Sequence, residues 1–290
     1  MSTSSPLPRA ALPVATEVAF ERDPAAEAGR PGPVMAIGGA EDKRRDKRIL
    51  AAFLALAGGP KARLAVVPTA SSIEWAGERY KALFLEMGAA RVEVVFLADR
   101  ADANTDAAAE LVADATGIFL TGGNQLKLAA VVAGTKVAQT VRDRHAAGAV
   151  VAGTSAGASV LSSHMVAFGA SGPTPKMRMA QMTAGFGLVP DAIVDQHFRE
   201  RDRVGRLLAL VAASPALLGV GVDEDTAALF EADGTLTVLG RGSVTVVDGS
   251  RMVSDVFAVK GHGGITVSNA TLHILTSGRR FDMRTRTLIG

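Results

Sequence analysis

Five short apolar runs recur through the first 155 residues, and helical stretches separate them. Val34–Ile37, Arg63–Val67, Arg91–Leu97, Gly117–Leu120 and Ala149–Ala152 carry apolar residues without strict alternation, as strands buried on both faces do. Most end in glycine or proline: Gly38-Gly39, Pro68, Gly122-Gly123 and Gly153. Between them lie helical patterns, such as Ile49, Leu50, Phe53, Leu54 and Leu56, the stretch from about Ala76 to Met87, Ala107–Ala113, Leu126–Val132 and Thr135–Ala147. Strand and helix in alternation predict an α/β fold, a mostly parallel sheet flanked by helices. The second half reads differently. A loop rich in Gly, Pro, Met and Lys spans Gly169–Gly187, followed by the run Ala192–Gln196, a helix over Arg203–Ala213 and a strand at Leu218–Val222. Two Asp-Gly pairs, Asp233-Gly234 and Asp248-Gly249, sit between β-rich runs and predict hairpins, hence an antiparallel β extension at the C-terminal end.

Composition narrows the function classes. There is no cysteine, which excludes thiolate metal sites and a cysteine nucleophile. Lys+Arg number 31 against 29 Asp+Glu, and aromatics are 4%, so neither charge nor stacking surface suggests a nucleic-acid partner. No apolar segment reaches the ~18 residues of a membrane helix. Six of the 12 prolines fall in the first 33 residues, without a convincing signal sequence, which predicts a disordered tail over 1–32, a single α/β domain over 33–290 and a cytoplasmic location.

The sharpest chemical signal is Gly153-Thr154-Ser155-Ala156-Gly157, a G-x-S-x-G pattern between a buried strand and a helix start. A serine on such a strained turn needs small neighbours, and the helix N–H groups beyond it can stabilise an oxyanion. A Gly/Ser turn capping a helix is the plainer alternative. Of the five histidines, His145 sits on a polar helix face, His164 follows the nucleophile turn closely, His262 is in a Gly-rich turn and His273 in an alternating strand. His197 ends an apolar run at a strand mouth and is the best candidate base. Asp223-Glu224-Asp225 ends another strand and could supply the orienting acid, and spacing does not choose among the three. Gly122-Gly123-Asn124-Gln125 offers bare amides, or is merely a turn. Gly38-Gly39-Ala40-Glu41-Asp42-Lys43 is no phosphate loop. Arg199, Arg203 and Arg206 would share one face if helical, and guanidinium groups there would bind carboxylates.

The order Ser, His, acid, together with these five motifs, resembles the serine peptidase family that contains cyanophycinase and α-aspartyl dipeptidase. The resemblance runs from about Pro33 to the C-terminus. It implies a fold like the class I glutamine amidotransferase domain, with Ser155 as nucleophile, His197 as base and Glu224 as orienting acid. It further implies an oxyanion hole from the amides of Gly123 and Ala156, and a pocket shaped by Gln125, Asp195, Gln196, Arg201, Arg203 and Arg206. Asn124 departs from the Asp common at its position. The implied substrate is cyanophycin, a poly-aspartate bearing arginine on each β-carboxyl, cleaved to β-Asp-Arg without cofactor or metal by a homodimer. An aspartyl dipeptidase, or a catalytically silent binding protein on the same fold, is the competing expectation.

Overall fold

The computed structural model describes residues 29–289. Most of the expected tail therefore lies outside the described residues. At its far end, Gly32 is already buried and donates a 2.8 Å hydrogen bond to the carbonyl of His145.

The first half builds the strands its periodicity predicts: β1 (Val34–Ile37), β2 (Arg63–Val67), β3 (Arg91–Val94), β4 (Gly117–Leu120) and β5 (Val150–Thr154). The helices between them are α1 (Arg48–Leu56), α2 (Ala76–Glu86), α3 (Asp106–Ala113), α4 (Gln125–Val132) and α5 (Lys136–Ala146). Thr105, Asn124 and Thr135 cap α3, α4 and α5 by accepting from amides of the first turn, a role that Asn or Asp performs equally at position 124. The five strands pair in parallel in the order β1-β5-β4-β2-β3. Alternate residues of β1 face opposite ways. Met35 and Ile37 pack with α1, α2 and the ring cluster Phe53, Tyr80, Phe84 and Phe119. Val34 and Ala36 join the core on the other face.

Beyond β5 lie α6 (Ala156–Ser159), β6 (His164–Gly169), β7 (Ala180–Ala184), β8 (Ala192–Gln196), α7 (Val204–Ala213), β9 (Leu218–Val222), β10 (Thr226–Phe230), β11 (Thr235–Gly240) and β12 (Ser243–Asp248). The chain ends in β13 (Val253–Ser254), β14 (Val267–Ser268), β15 (Thr271–Thr276), β16 (Arg280–Asp282) and β17 (Thr287–Ile289). The antiparallel strands β10, β11, β16 and β17 extend the large sheet beyond β1 to nine strands. A second sheet, ordered β15-β12-β9-β8, packs its inner residues Val194, Val220, Val222 and Val246 into the same core as Val34 and Ala36. Helix α7 covers its outer face through Leu207, Leu210 and Val211.

Three expectations for the second half are corrected. The Gly169–Gly187 segment is not all loop, because it contains β7, which pairs antiparallel with β6. Asp233-Gly234 does close a hairpin, β10–β11, with Gly234 at φ 90° and the Asp233 carboxylate accepting from the Thr235 amide. Asp248-Gly249 does not. Strand β12 pairs with β9 and β15 rather than with the residues directly after it, and the β-rich run expected beyond that turn, Met252–Val259, forms only the two-residue β13. Gly249 lacks a positive φ, and a Cβ there would lie 2.6 Å from Val211. Close approach to α7 requires that glycine. Among the described residues no helix is long and apolar enough to cross a membrane.

Candidate active site

Register brings the turns together. Ile37 of β1 pairs with Thr154 of β5, and Gly153 pairs with Leu120 of β4, so Gly38-Gly39 and Gly122-Gly123 flank Ser155. In the second sheet Gln196 of β8 pairs with Val222 of β9, so His197 and the Asp223–Asp225 run leave the sheet side by side. The two sheets meet along one seam. Gly38 donates to the carbonyl of Thr226, its own carbonyl accepts from the His197 amide, and the Asp225 amide donates to Gly39, at 2.8–2.9 Å.

Ser155 sits at the turn with φ 53° and ψ −113°, a strained position for a residue with a side chain. The two glycines of its motif are there for space: a Cβ on Gly153 would lie 2.1 Å from the Gly157 carbonyl oxygen, and one on Gly157 would lie 2.3 Å from that of Leu120. The hydroxyl lifted by this bend is 2.8 Å from His197 Nε2. On the other side of the ring, Nδ1 is 2.6 Å from Glu224 Oε1. His197 itself has φ 45°. Gly39, at φ +105°, makes room for its ring, since a Cβ would fall 2.3 Å from His197 Cε1. Burial lowers the imidazole pKa below its ordinary value, and the nearby guanidinium groups of Arg201 and Arg203 add to this, against the raising effect of Glu224. The lowered pKa favours the neutral ring, in which Nε2 can accept a proton.

The structure separates the three acids. Glu224 faces His197. Asp223 is buried and accepts from the Ser243 amide and hydroxyl and from the Arg199 amide. Asp225 holds the Asp42 amide at 2.8 Å and lies 3.3 Å from Arg241. The amides of Gly123 and Ala156 donate to no carbonyl among the described residues. Ala156 opens α6, where amides have no partner within the helix.

The remaining pocket residues are placed less uniformly. Gln125 Nε2 donates to the carbonyls of Val166 and Ala167 at 3.2 and 2.8 Å, tying α4 to β6. Asp195 is fully buried, and both its oxygens are taken. Arg206 grips it through Nε, at 2.6 Å, and Nη2, while Arg203 Nη1 and the Gln196 amide reach Oδ1 at 3.3 and 2.9 Å. It is therefore not a free acceptor for a substrate guanidinium. Desolvation lowers the Arg203 pKa to about 10, still charged at neutrality. Arg201 is exposed. Arg199 does not share a helical face with Arg203 and Arg206, because α7 starts only at Val204. Gln196 Oε1 and Arg203 Nε are buried with no partner among the described residues.

Sequence reasoning passed over one cluster. Glu41 is buried beside the nucleophile: Thr154 Oγ1 donates to its Oε2 at 2.6 Å, and the Tyr80 hydroxyl and the Lys43 ammonium reach Oε1. That the loop after β1 repels a pyrophosphate was legible, but Tyr80 and Thr154 are 39 and 113 positions from Glu41, so no local pattern joined them. Among the described residues no group of His, Asp and Glu is arranged to hold a metal.

Comparison with known proteins places the chain among peptidases. The chain is 44% identical over 259 residues to the cyanophycinase of Trichormus variabilis, covering 88% of this chain and 87% of that one. It is 43% identical to the cyanophycinase of Thermosynechococcus vestitus, with 89% and 81% covered, and 42% identical to that of Geminocystis herdmanii, with 87% and 94% covered. Among solved structures, a peptidase from an acI-B1 Actinobacterium shares the fold at TM-score 0.60 and 22% identity, over 85% of this chain and 99% of that one. A putative peptidase E from Listeria monocytogenes superposes at TM-score 0.50 and 15% identity, over 72% and 98%. The model of peptidase family S51 matches residues 34–238, and the chain is a serine peptidase belonging to that family.

Proposed function

We propose that this chain hydrolyses cyanophycin to β-Asp-Arg dipeptides through an acyl-enzyme on Ser155. The observation that carries the reading is the hydrogen-bonded line Ser155–His197–Glu224, in a chain 42–44% identical to proteins named cyanophycinase over most of its length. Ser155 Oγ attacks a backbone aspartyl carbonyl, and His197 Nε2 takes the hydroxyl proton. Glu224 accepts from Nδ1–H, which fixes the tautomer and stabilises the imidazolium. The amides of Gly123 and Ala156 receive the developing oxyanion. His197 then passes the proton to the leaving amine, the peptide bond breaks, and an ester remains on Ser155. A water molecule, deprotonated by the same imidazole, attacks the ester and frees the serine.

Arg203 and Arg206 outnumber the single carboxylate of Asp195, so the cluster behind His197 keeps a net positive charge. With exposed Arg201 and the unpartnered polar atoms of Gln196 and Arg203, it supports binding of the substrate's carboxylates and amides. Asp195 acts in this reading by positioning the arginines, and Gln125 by anchoring the wall formed by β6. The same reading keeps the homodimer and the intracellular setting, which sedimentation and cell fractionation test.

Incubation with purified polymer, followed by mass analysis, tests the substrate. Release of β-Asp-Arg is expected. Cleavage of Asp-X dipeptides with the polymer left intact would instead make the chain an aspartyl dipeptidase.

A further inference from the structure

A cavity of about 250 Å³ opens beside Ser155 on the α2 side, and its lining contains none of Asp195, Arg203 and Arg206. Its lining includes Thr154, Ser155 and His197 together with Lys43, Trp75 and Arg79. Glu41 is the single carboxylate among the lining residues, and three donors already hold it: Tyr80 and Lys43 reach Oε1, and Thr154 reaches Oε2. A substrate cation would have to compete with these three donors for the one carboxylate there. The cations are in the opposite situation. Lys43 Nζ is 2.8 Å from Glu41 Oε1, 3.3 Å from the Glu41 carbonyl and 5.4 Å from the centre of the Tyr80 ring. Two of its three N–H groups are thus engaged, and one remains for a ligand. Arg79 lies over the Trp75 indole, its guanidinium carbon 5.7 Å from the ring centre, where its edge N–H groups stay open. Counting Glu41, Lys43 and Arg79, the cavity carries one net positive charge next to the nucleophile.

We propose that Lys43 and Arg79 form a carboxylate-binding subsite on the α2 side of Ser155, and that buried Glu41 is the positioning residue that holds Lys43 there. The ligand class is a carboxylate within one or two residues of the scissile carbonyl. The inference rests on the reading of Ser155 as nucleophile and deepens it: a polymer whose every unit ends in a free arginyl carboxylate presents such a group on both sides of the bond. Glu41 also ties Thr154 to α2 through Tyr80, so loading of the subsite and the seat of the nucleophile share one buried carboxylate.

The test compares two synthetic trimers of β-Asp-Arg, one with free arginyl carboxylates and one with carboxamides. Wild-type protein should favour the acid about tenfold or more in kcat/KM, mainly through KM, the scale of one charge-assisted hydrogen bond. Glu41→Gln/Lys43→Met, which leaves no unpaired buried charge, and Arg79→Met should each erase most of that preference, read as the acid-to-amide ratio of kcat/KM within each variant. In the Ser155→Ala background, calorimetry reads the same acid-to-amide ratio without turnover. If wild-type protein cleaves neither trimer, the cyanophycin reading fails by itself, and the binding ratio still decides the subsite. Equal losses on both trimers, or no discrimination in wild-type binding, would overturn the proposal.

Discussion

The two sheets contribute opposite halves of one reaction. The large sheet supplies the nucleophile, on a turn so crowded that two glycines must give way to backbone carbonyls. The small sheet supplies base and acid, from adjacent parallel strands whose register alone sets them side by side. Each half has a buried carboxylate behind it, Glu41 in the first and Asp195 in the second, and the two differ in their partners. Glu41 accepts from a phenol, a hydroxyl and one ammonium, whereas Asp195 is held by two guanidinium groups. The first anchors a strained backbone with little net charge. The second gathers more positive charge than it neutralises. The seam at Gly38-Gly39 aligns the two halves.

The sharpest way to break this picture is to delete either end of the line. Ser155→Ala and His197→Ala should each lower kcat by several orders of magnitude with an unchanged circular dichroism spectrum, and the double variant should be hardly worse than either single one. Glu224→Gln should cost less, about 10²–10⁴-fold, because the imidazole keeps its place but loses the charge that stabilises its protonated form. Either loss proving additive would mean that the two sheets do not act as one unit.

Removing the buried carboxylate of the small sheet separates charge from strain. Asp195→Ala leaves two buried arginines uncompensated and should cost about 3–5 kcal/mol in chemical denaturation. An unchanged midpoint would show that the arginines are not held by Asp195.

The smallest effect lies in the pH profile. Catalysis needs neutral His197, and its lowered pKa keeps the base free below the ordinary histidine range, so kcat/KM should fall only on the acid side of about 6.5. Arg201→Gln removes a positive charge that disfavours the imidazolium, so the acid limb should move to higher pH, more at low salt than at high. A shift to lower pH would reverse the sign of that interaction.

The same contrast explains what could be read before the structure. In the parallel half, each strand is continuous in sequence, and its apolar run and glycine stop are local signals. The motif around Ser155 is equally local, since the spatial reasons for Gly153 and Gly157 lie within one strand–turn–helix unit or beside it in β4. The second half is held by distant pairings. Strand β12 reaches past its own Asp-Gly turn to β15, and β6 pairs with β7 across a loop whose composition hides it. Glu224 could not be told from Asp223 and Asp225, because their partners, Ser243 and Asp42, lie 20 and 183 positions away. The second sheet itself left no trace, since Ala192–Gln196 and Leu218–Val222 look like any buried parallel strands.

Covalent trapping tests the central claim most directly. A small serine-reactive phosphonate should add one group to the native protein, and peptide mapping should place it on Ser155. The rate should fall at least about a hundredfold in His197→Ala, and the adduct should be absent in Ser155→Ala. Labelling at another residue, or at Ser155 with the same rate when His197 is gone, would contradict the account.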